Sequence, residues 1–465
     1  MCQASNQGLR QINLRKFLVS YYPLLSILMG FLLVSLSVGP YNNGDTIKEY
    51  DAVSGILKSG LPIISGGYLM DEPPVGFYIH ALVFKLFGAS FNNGLLMVLL
   101  LSLGCIALIY AIGTSLYNKT TGFFATLLFA FTPWHLILSR SFLIDVPCLF
   151  FSLLSLFVGL LAFRKSSFRL LIVSGILFAA AFHTKLYAVF VLIPLLAFFF
   201  HYQPKKIKHI VTWFVAFSIP VIVTTFLWYQ TITGVGLPAI YIHPDLYSQN
   251  PSIAPPTPLF AINFLTSYGI GWFFVDAAIV SILVVLWQRQ NFRKFLFLDS
   301  TCLATVICVV GVNTILGAAL DLKAPYYNAI KYDYQALPFL SFLAASLVTK
   351  SVSLLKLSRF SKRKAILVAV ALFGFILVAA AIFYNMRFVH MFSSWDFLIF
   401  RVAPTIDEGY SLFNPDPIGA SDLMRGVQFL GFAIATSGIL WVARDKLGYL
   451  RKLKTLVEKK SYVLD

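Results

Sequence analysis

Tyr41-Asn-Asn-Gly-Asp-Thr-Ile-Lys-Glu-Tyr-Asp51, running on to Asp71-Glu-Pro-Pro-Val-Gly-Phe77, directly follows the apolar run Phe17–Val38. It sets Asp45, Glu49, Asp51, Asp71 and Glu72 beside that run. The rest of the chain has few charges to spare: 58% of residues are hydrophobic, 12% are charged, and mean hydropathy is +0.81. A soluble domain carries about twice that charged fraction. The chain therefore reads as an all-α polytopic membrane protein. Carboxylates gathered at a membrane face point to chemistry on something membrane-bound.

The formal charge of +17 would suggest nucleic acid in a soluble protein. Here the positive-inside rule accounts for it, and no nucleic-acid partner is expected. Arg10, Arg15 and Lys16 precede Phe17–Val38, which is too long for a signal-peptide core and reads as a retained first helix. Further apolar runs are Leu95–Leu116, Gly122–Leu138, Pro147–Phe163, Leu170–Phe182, Tyr187–Phe200, Ile210–Tyr229, Tyr268–Trp287, Phe295–Leu316, Ala336–Thr349, Ala365–Tyr384 and Val427–Val442. That predicts about twelve helices near the length a bilayer needs, with Leu170–Phe182 and Tyr187–Phe200 short enough to form a re-entrant hairpin. Starting inside, the inner loops collect most of the 36 lysines and arginines, including Lys119, Arg164, Lys165, the Lys350–Lys364 cluster and the Arg444–Lys460 tail. The acids sort the other way, leaving Asp299, Asp445, Glu458 and Asp465 inside. This predicts an integral protein of the cell membrane, N-in and C-in, with its site on the extracytoplasmic side.

Three regions are expected. Residues 1–208 form a catalytic membrane module whose first outer loop, 39–94, carries an amphipathic stretch at Thr46–Lys58 and an aromatic one at Phe77–Phe87. Both suit helices lying in the interface plane. Residues 209–349 add helices with outer loops at 231–267 and 317–335. Residues 350–465 hold the last helices, an outer loop at 385–426 and a basic cytoplasmic tail. Cys2, Cys105, Cys148, Cys302 and Cys308 sit in apolar runs or near the inner N-terminus and predict no disulfide framework.

Asp45 lies just past the first run, and Asp145 closes the short outer loop Ser139-Arg-Ser-Phe-Leu-Ile-Asp145. Both fall at the same depth on one side. A carboxylate is costly in a bilayer, about 2.5–3.5 kcal/mol at its centre, unless it is paired or faces a wet cavity. As plainer readings, Asp145 could cap the helix that follows it, and Asp45 could be a solvated loop acid. Two such acids can share a glycosyl transfer, one deprotonating the acceptor and the other orienting it or holding a cation. A phosphate leaving group needs positive partners. The outer face offers Arg140, Lys185 and Lys331, the last preceding Tyr332. Each also suits a snorkelling interface anchor. Glu49 and Glu72 complete the candidate substrate-binding set. The seven histidines show no paired metal spacing. His243 with Asp245 is the one candidate metal pair, so no cofactor is certain and a divalent metal ion is the one the chemistry admits. Asn118-Lys-Thr120 fits a glycosylation sequon but falls on the inner face.

In order, the residues are Asp45 with Glu49-Tyr50, Asp71-Glu-Pro-Pro-Val-Gly-Phe-Tyr78, Phe84-Lys-Leu-Phe-Gly88, Thr132-Pro133, Ser139-Arg140 with Asp145, Phe182-His-Thr-Lys185, and Lys331-Tyr-Asp-Tyr-Gln-Ala-Leu-Pro338. This series resembles the GT-C polyprenyl-phosphate-dependent glycosyltransferases. The nearest groups are the protein O-mannosyltransferase and aminoarabinose (lipid A) transferase families with their bacterial and archaeal relatives. The resemblance covers roughly Leu18–Lys208, thins toward Pro338 and is absent from the last outer loop. It implies a GT-C helical bundle and a first-loop catalytic acid/base at Asp45. It implies a second outer aspartate at Asp145 and a carrier-phosphate contact at Lys331. Glu72 departs from the pattern, since relatives often place Lys or His before Pro-Pro, and an acid there removes a phosphate or acceptor contact. The chain holds no large C-terminal soluble domain of the oligosaccharyltransferase kind, which points away from that activity.

The reading is an inverting membrane glycosyltransferase that moves a hexosyl or pentosyl group from a polyprenyl-phosphate donor to a protein, glycolipid or cell-wall acceptor. The alternative is a polytopic transporter or lipid flippase. Such proteins keep ionisable residues mid-helix and often show repeated halves, whereas these charges cluster at helix ends and no repeat is visible.

Overall fold

The computed structural model describes residues 44–70, 72–130, 138–202, 207–235, 293–319 and 333–356, with positions 21–25, 27, 28, 30, 132, 135, 277, 279–282, 430 and 434. Ten helices are labelled here in chain order: α1 (Gly44–Ser59), α2 (Val75–Phe87), α3 (Phe91–Leu116), α4 (Lys119–Ala130), α5 (Asp145–Lys165), α6 (Phe168–Phe182), α7 (Leu192–Tyr202), α8 (Ile207–Val235), α9 (Arg293–Ala319) and α10 (Leu337–Lys356). A 3-10 turn, Leu186–Val191, leads into α7, and another, Tyr334–Ala336, leads into α10. Among the described residues there is no strand, only one antiparallel bridge between Ile63 and Leu69.

Four of these helices are long and apolar enough to cross a membrane: Phe91–Leu116, Asp145–Lys165, Ile207–Gly234 and Phe295–Ile315. At 1.5 Å rise per residue, about 20 residues cover the hydrocarbon. The chain is an integral membrane protein. On α8 the apolar side chains Ile207, Val211, Val215, Ile219, Ile222, Phe226 and Leu227 are exposed, the pattern of a helix that meets lipid on its outer face.

The main core runs from Val98 to Leu347 and joins α3 to α10, with α8 contributing Trp213. Small residues let the backbones approach, as membrane helices require. Gly113 on α3 meets Gly122 on α4, where a Cβ at Gly113 would stand 2.8 Å from the Gly122 Cα. Ser155 and Ser174 clasp α5 to α6, each hydroxyl donating to the other's carbonyl at 2.8 Å. A smaller core packs Ala52, Val53 and Ile56 of α1 and Phe77, Ala81 and Phe84 of α2 around Phe142 and Ile144. The Phe142 ring lies against Tyr50, His80, Phe84 and Phe91. Thus the two stretches read as interfacial are helical, and they dock on the end of the bundle where α5 begins.

Several helix limits differ from the sequence expectation. The run starting at Pro147 begins as helix at Asp145, because a carboxylate in the first turn ends an apolar run without ending a helix. The run ending at Thr349 continues to Lys356. Lys350, grouped in the sequence with the inner basic cluster Lys350–Lys364, is fully buried and paired with Asp299, itself 1% exposed. Asn118 does what its discounted sequon left open: its side-chain oxygen accepts from Thr121 N at 2.9 Å and caps α4. The runs at Ala365–Tyr384 and Val427–Val442 lie outside the described residues, apart from positions 430 and 434.

Candidate active site

Five chain segments converge where α5 begins. Asp145 opens α5 and is 2% exposed. It does not cap the helix: the N-cap is Ile144, with no side-chain cap bond. The acid that serves this helix end comes from α1, where Glu49 Oε2 accepts from Ile144 N at 2.9 Å. Glu49 is 3% exposed. Asp45 occupies the first turn of α1, four residues before Glu49, so the two positions share a helix face.

The Asp145 carboxylate is paired with Lys185, Nζ to Oδ1 at 2.8 Å. Lys185 follows α6 directly and is 9% exposed. Burial alone would lower its pKa. The charges of Asp145, Glu72 and Glu49 outweigh that and hold the ammonium well above its ordinary value. Glu72 reaches this neighbourhood because the turn after it is tied to the end of α6, with Val75 N donating to His183 O at 2.9 Å. The Val-Gly-Phe that follows explains itself in contacts. A Cβ on Gly76 would stand 2.7 Å from Ile144 Cγ2 and 2.9 Å from Thr184 Cγ2, so only glycine lets α2 close on α5 and on the segment after α6. Gly76→Val is expected to destabilise the protein by about 1–3 kcal/mol, read as a lower melting temperature in detergent. An unchanged melting temperature would show that the neighbours yield freely.

On the other side of Asp145, Cys148 lies one turn along α5. Its Sγ takes a hydrogen bond from Gln335 Nε2 at 3.4 Å and lies 3.6 Å from Lys185 O. Gln335 belongs to the turn before α10, with Tyr334 and, at its N-cap, Asp333. This turn is pinned from beneath: His135 Nδ1 lies 2.8 Å from the Tyr334 hydroxyl and its Nε2 lies 3.0 Å from Ser102 Oγ. Asp333 Oδ1 accepts from Asn313 at 2.8 Å. Burial pushes the Asp333 carboxyl up to about 8, against the lowering pull of Asn313, so it is mostly protonated at neutral pH. Among the described residues, Asp145 Oδ2, Gln335 Oε1 and Asp333 Oδ2 are buried side-chain oxygens with no hydrogen-bond partner.

Of the residues singled out in the sequence, the fold brings together Glu49, Glu72, Asp145 and Lys185 and places Asp45 one turn from Glu49. Arg140, 9% exposed, lies in the loop leading to Asp145. Asp71, Lys331, Tyr332, His243 and Asp245 lie outside the described residues. No group of three or more His, Cys, Asp or Glu able to hold a metal occurs among the described residues. Sequence reading missed Asp333, Gln335, Cys148 and His135. The available signal was two polar residues, Asp333 and Gln335, flanking a tyrosine at the edge of an apolar run.

Residues 71–229 match the family of dolichyl-phosphate-mannose-protein mannosyltransferases. YkcB of Bacillus subtilis (strain 168), provisionally designated a mannosyltransferase, is 25% identical over 184 residues, which is 37% of this chain and 26% of YkcB. The match thus spans about a quarter of that relative. The fold is shared with ArnT from Cupriavidus metallidurans: the structure with undecaprenyl phosphate superposes with a TM-score of 0.51 at 14% identity, covering 92% of this chain and 78% of ArnT. The apo structure gives 0.50, covering 93% and 78%. The likeness to that mannosyltransferase family thus rests on residues 71–229, and the helical bundle as a whole shares the fold of ArnT.

Proposed function

We propose that this protein is an inverting glycosyltransferase that takes a sugar from a polyprenyl-phosphate carrier and passes it to an acceptor on the extracytoplasmic face. The observation that carries this reading is the buried Asp145–Lys185 pair with Glu49 and Glu72 acting on the same ammonium, one helical turn from the position of Asp45. ArnT, solved with undecaprenyl phosphate, and a family named for a dolichyl-phosphate sugar support a lipid-phosphate donor. In this reading the membrane orientation is N-in and C-in. Asp45 takes the proton of the acceptor hydroxyl or amine. The acceptor atom then bonds to the anomeric carbon from the side opposite the phosphate. The carbon–oxygen bond to the phosphate breaks, and the polyprenyl phosphate leaves with that electron pair. Lys185, Arg140, Lys331 and Tyr332 meet the charge that develops on it, and such fixed charge in a site screened from water is the largest single aid to a transfer of this type. Asp145 holds Lys185 in place. The cation that an acid at Glu72 denies to the Pro-Pro turn is available from Lys185 beside it. The regions 1–208, 209–349 and 350–465 would supply the catalytic module, supporting helices and the basic cytoplasmic end.

Membranes containing the full chain, supplied with labelled hexosyl and pentosyl polyprenyl phosphates, are expected to move label into a protein or lipid product. Membranes without the chain are not. Transfer from nucleotide sugars but from no lipid-linked donor would overturn the donor assignment. A correctly inserted chain that transfers from neither would overturn the enzyme.

A further inference from the structure

Asp145 and Cys148 stand three residues apart on α5, hence on one face and about 5–6 Å apart at their Cβ atoms. The Gln335 amide nitrogen is bonded to the Cys148 sulfur, so the Gln335 side chain ends about one helical turn from Asp145. Gln335 is 3% exposed and Asp145 2%. Each keeps one side-chain oxygen that finds no partner among the described residues, Gln335 Oε1 and Asp145 Oδ2. Two orphaned acceptors this close in a buried place are costly, because a buried polar atom without a partner forfeits its hydration. They persist most simply where a ligand supplies the missing donors.

The chemistry of the two atoms narrows that ligand. Both are acceptors, so a phosphate, which brings only more lone pairs at neutral pH, is repelled. Asp145 already gives one oxygen to Lys185 at 2.8 Å, Gln335 is neutral, and no group of three or more metal-ligating side chains occurs among the described residues, so a cation fits the two atoms poorly. The fitting group is an uncharged molecule with two neighbouring hydroxyls, each with one hydrogen to give. We propose that Gln335 Oε1 and Asp145 Oδ2 accept hydroxyl hydrogens from the transferred sugar, and that Gln335 selects donors bearing a hydroxyl at that ring position. This rests on the glycosyltransferase reading. It assigns a sugar subsite to the turn Tyr334–Ala336, which His135 and Ser102 hold from below. The Nε2 bond to Cys148 fixes the amide so that its oxygen, not its nitrogen, is presented.

The test uses the full chain in membranes. Polyprenyl-phosphate-linked hexoses and pentoses, and the monodeoxy analogues of whichever is transferred, are compared by kcat/KM. With the unmodified chain one deoxy position is expected to lose about 10- to 100-fold, since a site built to bind a hydroxyl rejects the analogue lacking it. Gln335→Leu, close in volume and without the acceptor, is expected to lose a similar factor on the full sugar while treating that one deoxy analogue as it treats the full sugar. Gln335→Glu, which keeps an acceptor oxygen, is expected to keep the deoxy discrimination at a lower rate. A Gln335→Leu enzyme that discriminates among the deoxy donors just as the unmodified chain does would overturn the subsite and leave the transferase standing. So would equal use of every deoxy donor by the unmodified chain, a result that needs no variant to fold. Transfer of no donor by the unmodified chain would overturn both the transferase and the subsite.

Discussion

Asp45→Asn is expected to lower transfer about 10²- to 10⁴-fold, the usual contribution of a positioned general base, while the protein still inserts and melts as before. The substitution keeps the size and hydrogen-bonding outline of the side chain and removes its ability to take a proton at neutral pH. The loss should fall on kcat, with donor KM nearly unchanged, because the base acts only as the acceptor bond forms. Asp145→Asn should behave differently. It leaves Lys185 buried without its matching charge, so donor KM and thermal stability should change along with rate. A variant pair in which Asp45→Asn transfers at the full rate, measured with radiolabelled donor in membranes, would remove Asp45 from the chemistry.

The helices of the bundle were legible because lipid and core both demand apolar side chains over about 20 residues, a signal that survives in one sequence. Their ends were less so. Hydropathy treats Asp145 and Lys350 as stops, yet both are helical because each charge is matched by a partner far along the chain, 40 residues away in one case and 51 in the other. The site shows the same division. Asp45, Glu49, Glu72, Asp145 and Lys185 stood out as charges in apolar surroundings. The role of Glu49 did not, since its partner is a backbone N–H at Ile144, and a backbone donor leaves no mark in composition. Gln335 and Cys148 lie 187 residues apart and look unremarkable alone. Only setting the turn before α10 against α5 joins them.

The second large effect lies at the opposite end of the bundle. Lys350 on α10 is paired with Asp299 on α9, and the side chains are 0% and 2% exposed. The pair is fully dressed. Lys350 Nζ donates to Ser281 Oγ at 2.7 Å and Ser281 O at 3.1 Å. Asp299 Oδ1 accepts from Tyr117 at 3.0 Å, and Ser346 Oγ lies 3.1 Å from the same oxygen. Tyr117 ends α3, so the network ties three helices together. Two charges taken out of water gain little net free energy by pairing, but removing one alone strands the other. Lys350→Met is therefore expected to cost about 3–5 kcal/mol, read as a large fall in melting temperature in detergent. The double variant Lys350→Met with Asp299→Leu should recover most of that loss, because it removes both charges and leaves hydroxyls that can bond to one another, as Ser281 and Ser346 already do at 2.7 Å. Donor selectivity should be the same in the double variant as in the unmodified chain, since the network lies a full helix length from Asp145. A single variant as stable as the unmodified chain would mean that water reaches Asp299. A double variant no better than the single would mean that the geometry of the pair, and not its charge balance, holds α9 to α10.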